Sequence, residues 1–224
     1  MFKKALMAAG LTLTSSVALA QTGQIYEVTI TNLTPGQTFT PQMVMTHAPG
    51  FRMFYPGQPA STGLEILAEG GDPSALIDEA ANFADDAQVI GGLLGPGETA
   101  TVEVQGRRGR NAMFSVAAML IPTNDTFMAL PSMRLPVNGT LEYMVPAYDA
   151  GTEANDQNCA NIPGPRCGGE GTNLTESGDE EGFVHIGNGF HDLGDEDESG
   201  NEILGPRVYD WRNSVARVTV RRVN

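Results

Sequence analysis

Lysine is almost missing from this chain of 224 residues: Lys3 and Lys4 are its only two, and every other basic residue is an arginine. Cysteine occurs twice, tryptophan once, and aromatic residues make up 7%. No Gly-x-Ser-x-Gly elbow, phosphate loop or lone reactive cysteine is present, which removes the common signatures of hydrolases and nucleotide-binding enzymes. After the N-terminus no apolar run approaches about eighteen residues, so no membrane-spanning helix is expected. A C-terminal lipidation motif and an internal repeat are also lacking.

The two lysines open a short apolar stretch from Ala5 to about Leu13, followed by the small-x-small site Ala18-Leu19-Ala20. This is the pattern of a secretory signal peptide over residues 1–20, with no cysteine near the cut to make a lipoprotein. The expectation is an exported protein, periplasmic or extracellular, with one domain over residues 21–224. Without the signal, eleven arginines face 27 acidic residues and the net charge moves from −14 to −16. Such a chain repels nucleic acid and anionic membranes and suits divalent cations or basic partners. The triplet Arg107, Arg108 and Arg110 lacks interleaved aromatics and reads as a charged hairpin, not a nucleic-acid site.

Cys159 and Cys167 share one Gly- and Pro-containing loop. In an oxidising compartment an isolated pair forms a disulfide, and closing so small a loop contributes roughly 2.5 kcal/mol in the chain-entropy model.

Alternation predicts strands. Tyr26, Val28 and Ile30 share one face of Ile25 to Thr31; Ala100, Val102 and Val104 share one face of Glu98 to Gln105; Ala216, Val218 and Val220 share one face of Ser214 to Val223. Met113 to Ile121 is apolar throughout, as a strand covered on both faces would be. Leu135 to Tyr143 contains Asn138-Gly139, which reads as a hairpin turn with Pro136 on an edge arm. Two short helices are expected, one opening at Thr62 with capping-box spacing and stopping at Gly70-Gly71, the next restarting at Asp72-Pro73, together covering one end of a sandwich. From about Glu153 to Pro206 the chain reads as long loop, and loops of that length in a compact domain are usually functional.

The acidic residues form patterns. Tyr148-Asp149-Ala150-Gly151-Thr152-Glu153 sets two carboxylates four residues apart around a glycine, after an apolar run. Asp125 follows another apolar run, so two strand ends would bring Asp125, Asp149 and Glu153 together, where their repulsion is relieved by a cation. The bland alternative is a hydrogen-bonded turn. Asp195, Asp197 and Ser199 have the opening of an EF-hand loop, but the twelfth position falls on Pro206, so they make a weak second calcium loop or a solvated acidic one. His185 and His191, six apart, would need a carboxylate to hold zinc, and a structural histidine is the simpler reading.

Several blocks together resemble the spondin domain, the N-terminal module of the F-spondin and mindin matrix proteins, which also occurs alone in secreted bacterial proteins. They are Thr46-His47, Phe51-Arg52-Met53-Phe54, Pro56 to Leu64, Leu67 to Gly71, Asn124 to Phe127, Tyr148 to Glu153, and Asp210 to Val218, in order along the mature chain. The resemblance implies an all-β, C2-like antiparallel β-sandwich with short helices and long loops at one end. It also implies a calcium-binding recognition or adhesion module without catalysis, whose partner is an extracellular or envelope protein or glycan. In the animal members an aspartate after the long buried strand and the first and fifth residues of Asp-Ala-Gly-Thr-Asp hold the metal. These roles fall on Asp125, Asp149 and Glu153, the last a glutamate where the family has aspartate. The family's extra cysteines between Asp125 and Asp149 are missing. Two other readings stand beside this one: an envelope protein whose calcium only stabilises loops, and a metal-dependent hydrolase.

Overall fold

The computed structural model describes residues 23–168, 178–190, 195–197 and 199–223. Two antiparallel sheets face each other. The smaller has the order β5 (Thr99–Gly106), β1 (Gln24–Asn32), β11 (Ala216–Arg222) and β8 (Thr140–Val145). The larger runs β10 (His185–Ile186), β9 (Ala147–Asp149), β7 (Thr126–Arg134), β6 (Met113–Ile121), β3 (Gln42–His47) and β4 (Ala84–Ile90), with β2 (Thr38–Phe39) also on β6. The first and last strands are partners, with Val28 opposite Val220 and Ile30 opposite Val218. Their alternation has the expected cause, since Tyr26, Val28, Ile30, Val218 and Val220 are all buried between the sheets.

The apolar run of β6 is explained by two cores. Val116, Ala118 and Leu120 enter the core between the sheets, while Ala117 turns outward to a second core with Leu64, Leu67 and Leu76. Leu64 and Leu67 belong to α1 (Thr62–Gly70) and Leu76 to α2 (Ser74–Ala80). α1 therefore lies on the outer face of the larger sheet, against β6 and β7, with α2 packed on α1, and the pair does not sit over one end as the sequence suggested. The helix start is also one residue off: Ser61 is the N-cap, accepting from the Leu64 N–H at 3.3 Å, and Glu79 of α2 accepts from the Gly63 N–H at 2.7 Å. The stop is as expected, with Gly71 in the left-handed region at φ 71°.

Two turns were misread from sequence. Asn138-Gly139 does not close a hairpin, because β7 lies in one sheet and β8 pairs with β11 in the other. The arginine-rich stretch after β5 likewise crosses between sheets, and Arg107 pairs with Asp85 of β4 at 2.6 Å. Strand register fixes the acidic end: Thr126 of β7 lies opposite Asp149 of β9, which in turn lies opposite His185 of β10. A short α3 (Pro206–Tyr209) precedes β11, and Trp211, between them, packs edge-on against Phe190.

Candidate metal centre

Asp125 sits in the tight link between β6 and β7, one residue before Thr126, and is fully buried. Its Oδ2 accepts hydrogen bonds from the N–H groups of Thr152 at 2.8 Å and Glu153 at 3.2 Å, and from the Thr152 hydroxyl at 3.3 Å. Its Oδ1 is buried and has no hydrogen-bond partner. The 150–153 turn thus wraps one oxygen of Asp125 and leaves the other pointing at nothing that can donate. Burial pushes this carboxyl well above the ordinary range, and the neighbouring Asp149 and Glu153 carboxylates push it further against the pull of the two backbone N–H groups.

Asp149 ends β9 and is 1% exposed. Its Oδ1 accepts from the Gly151 N–H at 2.9 Å and its Oδ2 from Asn155 Nδ2 at 2.9 Å. Burial raises its pKa too, while Asn155, His185 and the Gly151 N–H hold it down. Gly151 makes this turn because it takes φ +66° and because a Cβ there would lie 2.4 Å from the Phe183 carbonyl oxygen.

Glu153 is half-buried, and its Oε2 is a second enclosed carboxylate oxygen without a partner. Burial, then Glu69, then Asp156 push its pKa up to about 8. Glu69, a buried residue near the end of α1, and Asp156 are thus close enough for their charges to repel that of Glu153. Glu69 was not recognised as part of the site from sequence, because within α1 it reads as one polar position of a helix.

Asp125, Asp149 and Glu153 thus lie around one turn, but their ligand atoms do not all come within 4.8 Å of one another. Among the described residues, the His, Cys or acidic groups with ligand atoms all within 4.8 Å of one another are Asp149, Glu181 and His185. Glu181 escaped the sequence reading, although its spacing of four from His185 was a usable signal. His191 lies outside the described residues.

The EF-hand-like segment is engaged otherwise. Asp195 Oδ2 accepts from the Cys159 N–H at 3.0 Å, and Asp197 Oδ1 accepts from the N–H groups of Ser199 and Asn201, both at 2.9 Å. These hydrogen bonds hold the exposed Asp197 carboxyl below its usual range. Cys159 and Cys167 are joined by a disulfide, as expected, and both half-cystines pack against the inter-sheet core.

The fold is a two-sheet antiparallel sandwich with helices on one outer face of the larger sheet and buried carboxylates at strand ends. The family model Spondin_N matches residues 29–159, more than half of the chain, and the chain belongs to that family. The family consists of non-catalytic modules of the extracellular recognition and adhesion type. No curated protein matches the chain. No described helix is long and apolar enough to cross a membrane. The disulfide fits an extracellular, oxidising setting.

Proposed function

We propose that the protein is an exported calcium-dependent recognition or adhesion module, with Asp125, Asp149 and Glu153 supplying carboxylate oxygens to the ion. The observation that carries this is the pair of buried, unpartnered oxygens, Asp125 Oδ1 and Glu153 Oε2, in one acidic cluster. A buried acceptor without a donor costs about 1–3 kcal/mol, more if charged, and a divalent cation removes that cost for both. The donor set is all oxygen, which suits calcium; carbonyls and water would complete a shell of about 6–8 ligands. Beside the β9–β10 pair runs an open groove of about 530 Å³, with Ala147, Ile186, Trp211 and Arg212 in its lining, where an extracellular or envelope protein or glycan would contact the ordered end.

Calorimetric titration of chelator-stripped mature protein should show calcium binding that Asp149→Asn abolishes. Glycan and envelope-protein arrays probed with and without calcium then separate the readings. Retention only with calcium supports recognition. Stabilisation without any retained partner favours the loop-bracing envelope protein, and turnover lost in His185→Gln favours the hydrolase.

A further inference from the structure

His185 carries a second feature of the acidic end. Its Nδ1 lies 2.9 Å from the carbonyl oxygen of Ile186, and a carbonyl only accepts, so the ring proton of neutral His185 sits on Nδ1. Nε2 then presents a lone pair. That atom is enclosed, makes no hydrogen bond, and lies 3.3 Å from Asp149 Oδ1 and 3.9 Å from Glu181 Oε1. A lone pair beside two carboxylate oxygens is repulsive unless a positive centre, a second ring proton or a metal ion, lies near them.

We propose that Asp149, Glu181 and His185 form a site for a zinc-class divalent cation, next to the oxygen-only calcium site and sharing Asp149 with it. Zinc bonds of about 2.0–2.1 Å at tetrahedral angles place neighbouring ligand atoms about 3.3 Å apart. The Asp149–His185 separation of 3.3 Å already has that value. Closing the rest, where the limit is 4.8 Å, needs Glu181 to advance by about 1–1.5 Å, and its side chain is 33% exposed. The supporting contacts are those of a metal-bound imidazole: the Nδ1–H is tied to a backbone carbonyl, and Asn155 Nδ2 spans Asp149 Oδ2 at 2.9 Å and Glu181 Oε1 at 3.3 Å. The nitrogen ligand separates the two sites chemically, since calcium takes oxygen ligands whereas zinc accepts imidazole. Three protein ligands leave a fourth position for water or for an atom of a bound partner.

The probe is zinc itself, titrated calorimetrically into tag-free, chelator-stripped mature protein with and without saturating calcium. One equivalent should bind in both conditions. His185→Gln and Glu181→Gln should each weaken zinc at least about tenfold while calcium binding persists, which also shows that these variants are folded. Asp125→Asn should do the reverse, losing calcium and keeping zinc. Cobalt in place of zinc should give a visible absorption band that His185→Gln changes. Equal zinc affinity in wild type and both variants would overturn the site. So would an imidazole nitrogen spectrum showing His185 doubly protonated at neutral pH and unmoved by zinc, because the positive centre would then be a proton. Zinc binding without calcium binding would defeat the calcium reading alone.

Discussion

Replacing Asp125 by asparagine separates a cation site from an ordinary turn, because the two accounts give opposite signs in metal-free protein. The amide keeps an oxygen for the N–H groups of Thr152 and Glu153 and removes a negative charge from a fully buried position beside Asp149 and Glu153. A buried acceptor such as Oδ1, left without a partner, costs about 1–3 kcal/mol. For a chain of this size each kcal/mol moves Tm by about 2–4 °C, so Asp125→Asn in chelator should melt about 2–12 °C above wild type. The gain should be larger at pH 8 than at pH 6, since the raised pKa of Asp125 lets a proton relieve part of the cost at the lower pH. In calcium the order should invert. A ligand at a hundred times its Kd stabilises the folded state by about 2.7 kcal/mol, or about 5–10 °C, and the variant should forfeit that increment. Scanning calorimetry of both proteins in chelator and in calcium reads all four values. A variant that melts lower than wild type in chelator, together with a wild type indifferent to calcium, would refute the reasoning and leave Asp125 as a structural turn residue.

The metal-free wild type should also lose stability between pH 5 and 8. A carboxyl whose folded pKa is raised stabilises fully below its unfolded value and loses that contribution as pH rises through the folded one, which for Glu153 spans 4.5 to about 8. Discounted for its partial exposure, the contribution is about 1–2 kcal/mol, so melting in chelator should fall by a few degrees across that range and Glu153→Gln should flatten the slope. Asp72 and Asp85, whose carboxyls are held low, act only in more acidic solution, but His47, whose pKa burial lowers, works in the opposite sense in this window, so the test is the difference between wild type and Glu153→Gln; parallel slopes would contradict the claim. Gly151→Ala meets both a left-handed backbone at φ +66° and a carbonyl oxygen 2.4 Å from the new Cβ, so a loss of about 2–4 kcal/mol with failure to bind calcium is expected by denaturant titration.

Much of the sandwich was legible where the burial of a strand is simple. The uniform apolarity of β6 reports its two cores, and the alternation of β1 and β11 reports one buried face. β4 was not foreseen, because Ala84–Ile90 carries Asp85 and Asp86, lies at a sheet edge and has no buried residue to impose a period. Asn138-Gly139 correctly signals a turn, with Gly139 at φ 70°, but a turn's own residues do not say which sheet the next strand will join. The acidic residues nearest in sequence, Asp149 and Glu153, were identifiable from their turn. Glu69 was not, since only packing of α1 on the sheet carries it to the same end, and Glu181 offered only its spacing of four from His185, which pairing of β10 with β9 brings beside Asp149.

A crystal structure of the mature protein grown with calcium tests the central claim most directly. The account predicts one ion with oxygens of Asp125, Asp149 and Glu153 at about 2.3–2.6 Å, Asp125 Oδ1 among them, and an anomalous signal at that position. Well-ordered carboxylates with no ion between them in saturating calcium, and Asp125 Oδ1 still unpartnered, would contradict it.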